Sequence, residues 1–267
     1  MTDPYLVADA FLVGVTGVAA GVARLLRHPD AARYEGEHAR LRAAFQDAYV
    51  TRSGRLAGDT QTGYALAFQF GLLDEGQRAG AAERLARLAT KEVFHIGTGF
   101  AGTPAILPAL TAAGHLQTAY RMLQEGGCPS WLYPVRMGAT SIWERWDSML
   151  PDGRINPGEM TSFNHYALGA AAQWLHTTVA GLSPLEAGYR KISVAPRPGG
   201  TITQAAAHTT TPYGRAAVAW EIEDGVLKVL ATVPPNTTAV IKLAGREETV
   251  GSGTHTREVP YKTEGEW

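Results

Sequence analysis

The stretch VAWEIEDGVLKVLA, Val218 to Ala231, decides the second half of the fold. Val218, Trp220 and Ile222 alternate with small or polar residues, Leu227, Val229 and Ala231 alternate again, and the pair Asp224-Gly225 stands between the two runs. A period of two is that of a strand with one buried face. Asp-Gly readily adopts the two positive φ angles of a two-residue hairpin turn. With that turn Ile222 faces Leu227 and Trp220 faces Val229, so both apolar rows fall on one side of the sheet. Further strands are expected at Lys191 to Ala195, Thr238 to Leu243 and around Glu247 to Val259. Residues 188–267 therefore read as an antiparallel β-domain, a sandwich.

Before Tyr189 the period is helical. Phe11, Val15, Val18, Val22 and Leu25 recur at intervals of three and four, and Gly14, Gly17 and Gly21 share that spacing, leaving a thin face for another helix. After the break at His28 to Asp30, a second helix carries Tyr34, His38, Leu41, Phe45 and Tyr49 on one side. Two helices joined by so short a loop form an antiparallel hairpin. Further helices are expected after Gly58 and Asp59, from Glu75, over Pro104 to Ala113 and Leu116 to Leu123, and as one long helix from Phe163 to Val179. Residues 1–187 thus read as an array of helical hairpins. The loops HIGTGFAGTP and PSWLYPVRMGATSIWERWDSMLPDGRINPGEMTS hold most of the aromatic and polar residues, as functional loops do.

The chain has 267 residues, 45% hydrophobic and 18% charged, with a formal net charge of -1. Its Lys and Arg are dispersed, so no footprint for nucleic acid or an anionic membrane is expected. The apolar run Ala10 to Ala23 reads as a buried helix, too short to span a bilayer, and it lacks the basic flank of a signal peptide. The expected location is the cytoplasm. A single cysteine, Cys128, excludes an internal disulfide and reads as a small buried hydrophobe. No metal-ligand spacing, phosphate loop, nucleotide fingerprint or Gly-x-Ser-x-Gly elbow occurs, so no metal and no cofactor are expected.

Three polar residues are candidates for chemistry. Glu144 lies between Trp143 and Trp146 in ATSIWERWDS; a carboxylate beside indoles suits general acid or base work, and indole faces stack on sugars. The alternative is an ion pair with Arg136 or Arg145. His165, in TSFNHYALG, stands at the expected start of the long helix, where it either caps and packs or donates to a substrate hydroxyl. Asp59 is placed to cap the helix that follows it.

Taken in order, DTQTGYALAFQFGLL, HIGTGFAGTPAILPALTAAG, YRMLQEGGCPSWLYPVRMGATSIWERWDS, SFNHYALGAAAQWL and PPNTTAVIKL resemble the C-terminal part of bacterial α-L-rhamnosidases of glycoside hydrolase family 78. The resemblance covers almost the whole chain. It implies an α+β multidomain protein: an incomplete (α/α)6 toroid of helical hairpins followed by an antiparallel β-sandwich. It implies inverting hydrolysis of terminal α-L-rhamnosides, with Glu144 as the general base, His165 contacting the sugar, and Trp143, Trp146 and Asp147 shaping the pocket. Rhamnose-containing glycosides or oligosaccharides are the implied partners.

The departure from the family pattern is the general acid. An inverting glycosidase needs a second carboxylic acid roughly 6.5–9.5 Å from the base, and the upstream acidic motif that supplies it in the family is absent here. Seven expected helices also fall short of a full toroid. The chain is therefore expected to carry the base half of a site, and to leave the flank of its first helix open to an N-terminal segment or to self-association. A carbohydrate-binding or structural piece, one half of a split enzyme, and a related toroid enzyme acting on another sugar stand as alternatives.

Overall fold

The computed structural model describes residues 2–262. Contacts divide the chain into two compact units, one ending at Gly169 and one beginning at Ala170.

The first unit contains α1 (Pro4–Leu25), α2 (Ala31–Tyr49), α3 (Gln61–Gln69), α4 (Glu75–Lys91), α5 (Thr103–Ala112), α6 (Leu116–Gln124) and the short α7 (Leu132–Arg136), which the apolar pattern did not disclose. Helix α1 starts where Asp3 accepts a hydrogen bond from Tyr5 N–H at 2.9 Å, with Pro4 in the first turn. It pairs with α2, and the Tyr49 hydroxyl donates to Asp9 at 2.7 Å. Two of its three glycines mark close approaches. A Cβ at Gly14 would lie 2.5 Å from the Phe70 ring and one at Gly17 3.0 Å from His38, whereas Gly21 faces open space.

The reading of this segment as a buried helix needs correction. The buried face is Leu6, Ala10, Val13, Ala20 and Ala23, while Val15, Val18 and Leu25 are exposed. The helix has 22 residues, and only 28% of its most apolar window is buried. By length and composition alone it could cross a membrane, so the shortness inferred from Ala10 to Ala23 does not hold; the helix simply extends beyond the apolar run at both ends. The open stripe is the flank expected to lack neighbours.

Asp59 is not a cap. Its φ of 47° takes it out of the capping conformation, and Thr60 accepts the N–H of Gly63 instead. The Asp59 carboxylate accepts from Arg84 Nε at 2.8 Å and from the Tyr64 hydroxyl at 2.9 Å. The Arg84 hydrogen bond is the main reason its pKa falls to about 2. A folded-state pKa below the unfolded value of about 3.8 adds stability above that value, and the gain is lost as pH falls toward 2. Asp59→Asn should therefore cost about 2 kcal/mol at pH 7. Urea titrations should show the gap to wild type closing between pH 4 and pH 2; a gap that stayed constant to the acid end would remove the ion pair as its cause.

Cys128 is exposed rather than a buried hydrophobe, because it lies in the loop between α6 and α7. The burial that does reach its sulfur, with the Asp147 charge, pushes its thiol up to about 11, so it stays protonated near neutral pH.

The long helix expected from Phe163 is shorter and irregular. Residues 163–166 are not helical; a 3-10 turn covers Ala167–Ala170, α8 spans Ala171–Trp174, and a π-helical turn covers Leu175–Val179. Ser162, Asn164 and His165 use side-chain or backbone groups in local and cross-segment hydrogen bonds, which compete with helix formation.

In the second unit two four-stranded sheets follow, ordered β1-β2-β6-β7 and β3-β4-β5-β8. The strands are β1 (Leu182–Pro184), β2 (Lys191–Val194), β3 (Gln204–Thr211), β4 (Gly214–Glu223), β5 (Val226–Val233), β6 (Thr238–Leu243), β7 (Arg246–Val250) and β8 (Gly253–Pro260). The expected hairpin register holds: Trp220 pairs with Val229 and Ile222 with Leu227, across a turn whose Asp224 and Gly225 have φ of 49° and 73°. One pairing, β2 with β6, is parallel within the otherwise antiparallel sandwich. Val218, Trp220, Val229 and Ala231 are buried on the inner face. The Trp220 indole donates to Val179 O at 2.7 Å, and His176 Nδ1 lies 2.9 Å from Leu182 O, so residues 170–179 belong with the sheets. The sequence boundary at 187/188 lies later than this division.

Candidate active site

The site is assembled from two loop segments that cross. Glu144 N–H donates to Ser162 O and His165 N–H to Ile142 O, each at 2.8 Å, and the Ser141 hydroxyl donates to Phe163 O. The motifs ATSIWERWDS and SFNHY, separate in sequence, are thereby adjacent.

A second set of bonds fixes the turn after Glu144. Arg145 grips Asp147 through Nε at 2.6 Å and Nη2 at 3.1 Å, and reaches Glu159 O at 3.2 Å. Asn156 donates to Asp147 Oδ2 at 2.9 Å, and the Ser148 hydroxyl, fully buried, donates to Arg145 O. A two-pronged guanidinium–carboxylate pair is rigid as well as strong. Arg145, chiefly by its hydrogen bond, holds the Asp147 pKa below the usual value, so Asp147 stays anionic and is a poor proton donor.

Glu144 is half-buried, and the ion pair considered for it is not formed: among the described residues neither Arg136 nor Arg145 pairs with it. Its Oε2 accepts Ser162 N–H at 3.1 Å. Glu144 lines a cleft of about 410 Å³ with Trp146, Phe100, Met160 and Leu168. One carboxylate oxygen is thus held by the backbone, and the group faces an aromatic hollow.

The other sequence candidates fall at different depths. Trp146 lines the cleft and packs edge-on against Trp131 at 5.6 Å. Trp143 is only 4% exposed, meets Phe163 edge-on at 5.1 Å and does not line the Glu144 cleft. It lines a smaller hollow of about 270 Å³ with Trp131 and Ile142. No α-helix starts at His165, but its Nδ1 accepts the N–H of Ala167, the first residue of the 3-10 turn, so it caps and packs locally. Its ring stacks on Phe100, with centroids 4.9 Å apart and planes 10° from parallel, and on Tyr166 at 5.4 Å and 4°. Phe100 therefore touches both the Glu144 cleft and the histidine, a role that sequence reasoning missed. The available signal was its place in the glycine-punctuated HIGTGF loop.

Another hollow, about 650 Å³, lies on the β3-β4-β5-β8 sheet and is lined by Ala206, Ala219, Glu221 and Lys228. Its tryptophan, Trp220, is 3% exposed, so it offers no open aromatic platform. Among the described residues no three His, Cys, Asp or Glu side chains converge as metal ligands.

Helical hairpins ending in loops that present a carboxylate in an aromatic cleft, followed by a two-sheet unit, define a helical-hairpin glycosidase architecture. Within that class the chain belongs to the bacterial α-L-rhamnosidases: the six-hairpin glycosidase domain of that family matches residues 1–179, and its C-terminal domain matches residues 181–258. An α-L-rhamnosidase of Streptomyces avermitilis is 42% identical over 240 residues, which is 90% of this chain and 23% of the relative. One from Formosa agariphila is 38% identical over 91% of this chain and 26% of its own length. Among solved structures, native α-L-rhamnosidase of Aspergillus terreus superposes with a TM-score of 0.93 at 43% identity, over 97% of this chain and 31% of that one. The Streptomyces avermitilis enzyme complexed with L-rhamnose gives 0.91 at 39% identity, over 95% and 26%. The chain thus spans about a quarter to a third of the length of these relatives.

Proposed function

We propose that this chain carries the general-base half of an inverting α-L-rhamnosidase site. The observation that carries the reading is Glu144 on an aromatic cleft, held by Ser162 N–H and unpaired with any cation among the described residues. In that role the carboxylate takes a proton from a water attacking the anomeric carbon, and the C–O bond to the leaving group breaks on the opposite face of the ring. Trp146 and Phe100 supply aromatic walls for the sugar. His165 Nδ1 accepts Ala167 N–H at 3.3 Å, which assigns the neutral ring's proton to Nε2 and makes that nitrogen the donor to a hydroxyl.

The leaving oxygen also needs a proton. Of the other carboxylates on the cleft, Asp147 is committed to Arg145 and Asn156, and Glu159 is exposed. The acid in this reading comes from the part of the relatives' length that lies outside this chain. The open apolar stripe of α1 fits the same reading, as a face for further chain or for a second copy. If the chain is instead one half of a split enzyme or a binding piece, the committed state of Asp147 is what favours it.

Calorimetric titration with L-rhamnose should give saturable one-to-one binding that L-fucose does not reproduce. Mixing the chain with the remaining portion of the Streptomyces avermitilis relative should restore hydrolysis of a 4-nitrophenyl α-L-rhamnoside. Absence of both binding and complementation would dispose of the proposal; binding without complementation would leave the chain a sugar-binding piece.

A further inference from the structure

We propose that Phe100 is a positioning residue for His165: its ring holds the imidazole in one orientation and one tautomer at the edge of the Glu144 cleft. The proposal rests on the reading of His165 as a sugar contact, and it has a readout that does not.

The loop carrying Phe100 is fixed from two helices. Gly97 N–H donates to Gln61 Oε1 at 2.9 Å, and Gln61 Nε2 donates to His95 O at 3.2 Å, tying the loop to α3. The Thr103 hydroxyl, at the start of α5, lies 2.9 Å from the Thr98 hydroxyl and also donates to Gly99 O. Gln61, Thr98 and Thr103 are all buried, so these bonds are shielded from water and restrain the loop strongly. Phe100 is therefore presented from a rigid mount, while His165 lies on an irregular segment without helical support.

An imidazole on such a segment would ordinarily turn about its side-chain bonds. The nearly parallel stack on Phe100, with Tyr166 also parallel to the ring, restricts that rotation. Within the allowed orientation Nδ1 meets Ala167 N–H, and the proton resides on Nε2. Because Phe100 also lines the cleft with Glu144, moving one loop would move the sugar wall and the histidine together. A stack of this kind is worth up to about a tenfold change in an equilibrium.

The test uses the whole chain, labelled with ¹⁵N-histidine and assigned at His165 with a His165→Gln variant. Long-range proton–nitrogen spectra should show the Nε2–H tautomer in wild type, a mixture of tautomers in Phe100→Leu, and the wild-type pattern in Phe100→Tyr. L-rhamnose affinity should fall about tenfold in Phe100→Leu and return to within about twofold in Phe100→Tyr. An unchanged tautomer in Phe100→Leu overturns the proposal even if affinity falls, because Phe100 would then act only by touching sugar. If wild type binds no rhamnose, the sugar-contact reading of His165 fails, while the tautomer shift still decides whether Phe100 positions His165. Should Phe100→Leu not fold, Phe100→Met takes its place, with the same outcomes.

Discussion

Glu144→Gln is expected to lower kcat/KM for a 4-nitrophenyl α-L-rhamnoside by about 10² to 10⁴, the usual contribution of a general base. The measurement is made in a chimera in which this chain replaces the matching segment of the Streptomyces avermitilis relative. That loss corresponds to about 3–5 kcal/mol of transition-state stabilisation. The fold should not suffer. Glutamine keeps the oxygen that accepts Ser162 N–H, and no cation loses its partner, because Arg145 is bound to Asp147. L-rhamnose affinity should stay within about threefold, since the amide still fills the same space but no longer takes a proton from water. Asp147→Asn makes the informative contrast: it weakens the Arg145 clamp and the Asn156 tie, so it should disturb both affinity and rate. A Glu144→Gln chimera retaining wild-type rate would remove the general-base role.

The parts of the fold legible in the sequence are those where local chemistry and tertiary packing agree. The β4-β5 hairpin was readable to the residue, because Asp224-Gly225 fixes the turn and a period of two fixes the faces. The pairing of β2 with β6 was not readable as parallel, since partner choice across a long separation leaves no local mark. In α1 the apolar spacing was real, but the helix buries Leu6, Ala10, Val13 and Ala20, and turns Val15, Val18 and Val22 outward. Periodicity identifies a stripe without saying what covers it. Asp59 failed as a cap because its carboxylate found a tertiary partner in Arg84, whereas His165 accepts an N–H of the 3-10 turn that follows while its ring stacks on Phe100. At the site, Glu144 and Trp146 were visible because an acid between indoles is unusual. Phe100 was not, since one phenylalanine in a loop carries no chemical signature until the structure places it against a histidine.

Gly181→Ala should be the most destabilising small substitution in the second unit. Gly181 has φ of 81°, and a Cβ there would run into Pro196 N and Ala195 C, well inside contact distance. Those atoms are backbone, so no side chain can swing aside. The contact sits where Ala195 N–H donates to Gly181 O at 2.8 Å, at the edge of the β1-β2 pairing of Leu182 with Val194. Gly188 provides the control: its φ is 69°, but a Cβ there would meet nothing within 4 Å. Gly188→Ala should therefore cost only the left-handed penalty of about 1 kcal/mol. Gly181→Ala adds backbone displacement and should cost at least about 3 kcal/mol. For a unit of this size that lowers the unfolding midpoint by about 12 °C or more. Calorimetric melting, with amide exchange at Leu182 and Val194 as the local probe, separates the two effects. Equal losses at Gly181 and Gly188 would show that φ alone sets the cost and that the backbone at Ala195 and Pro196 yields to a methyl group.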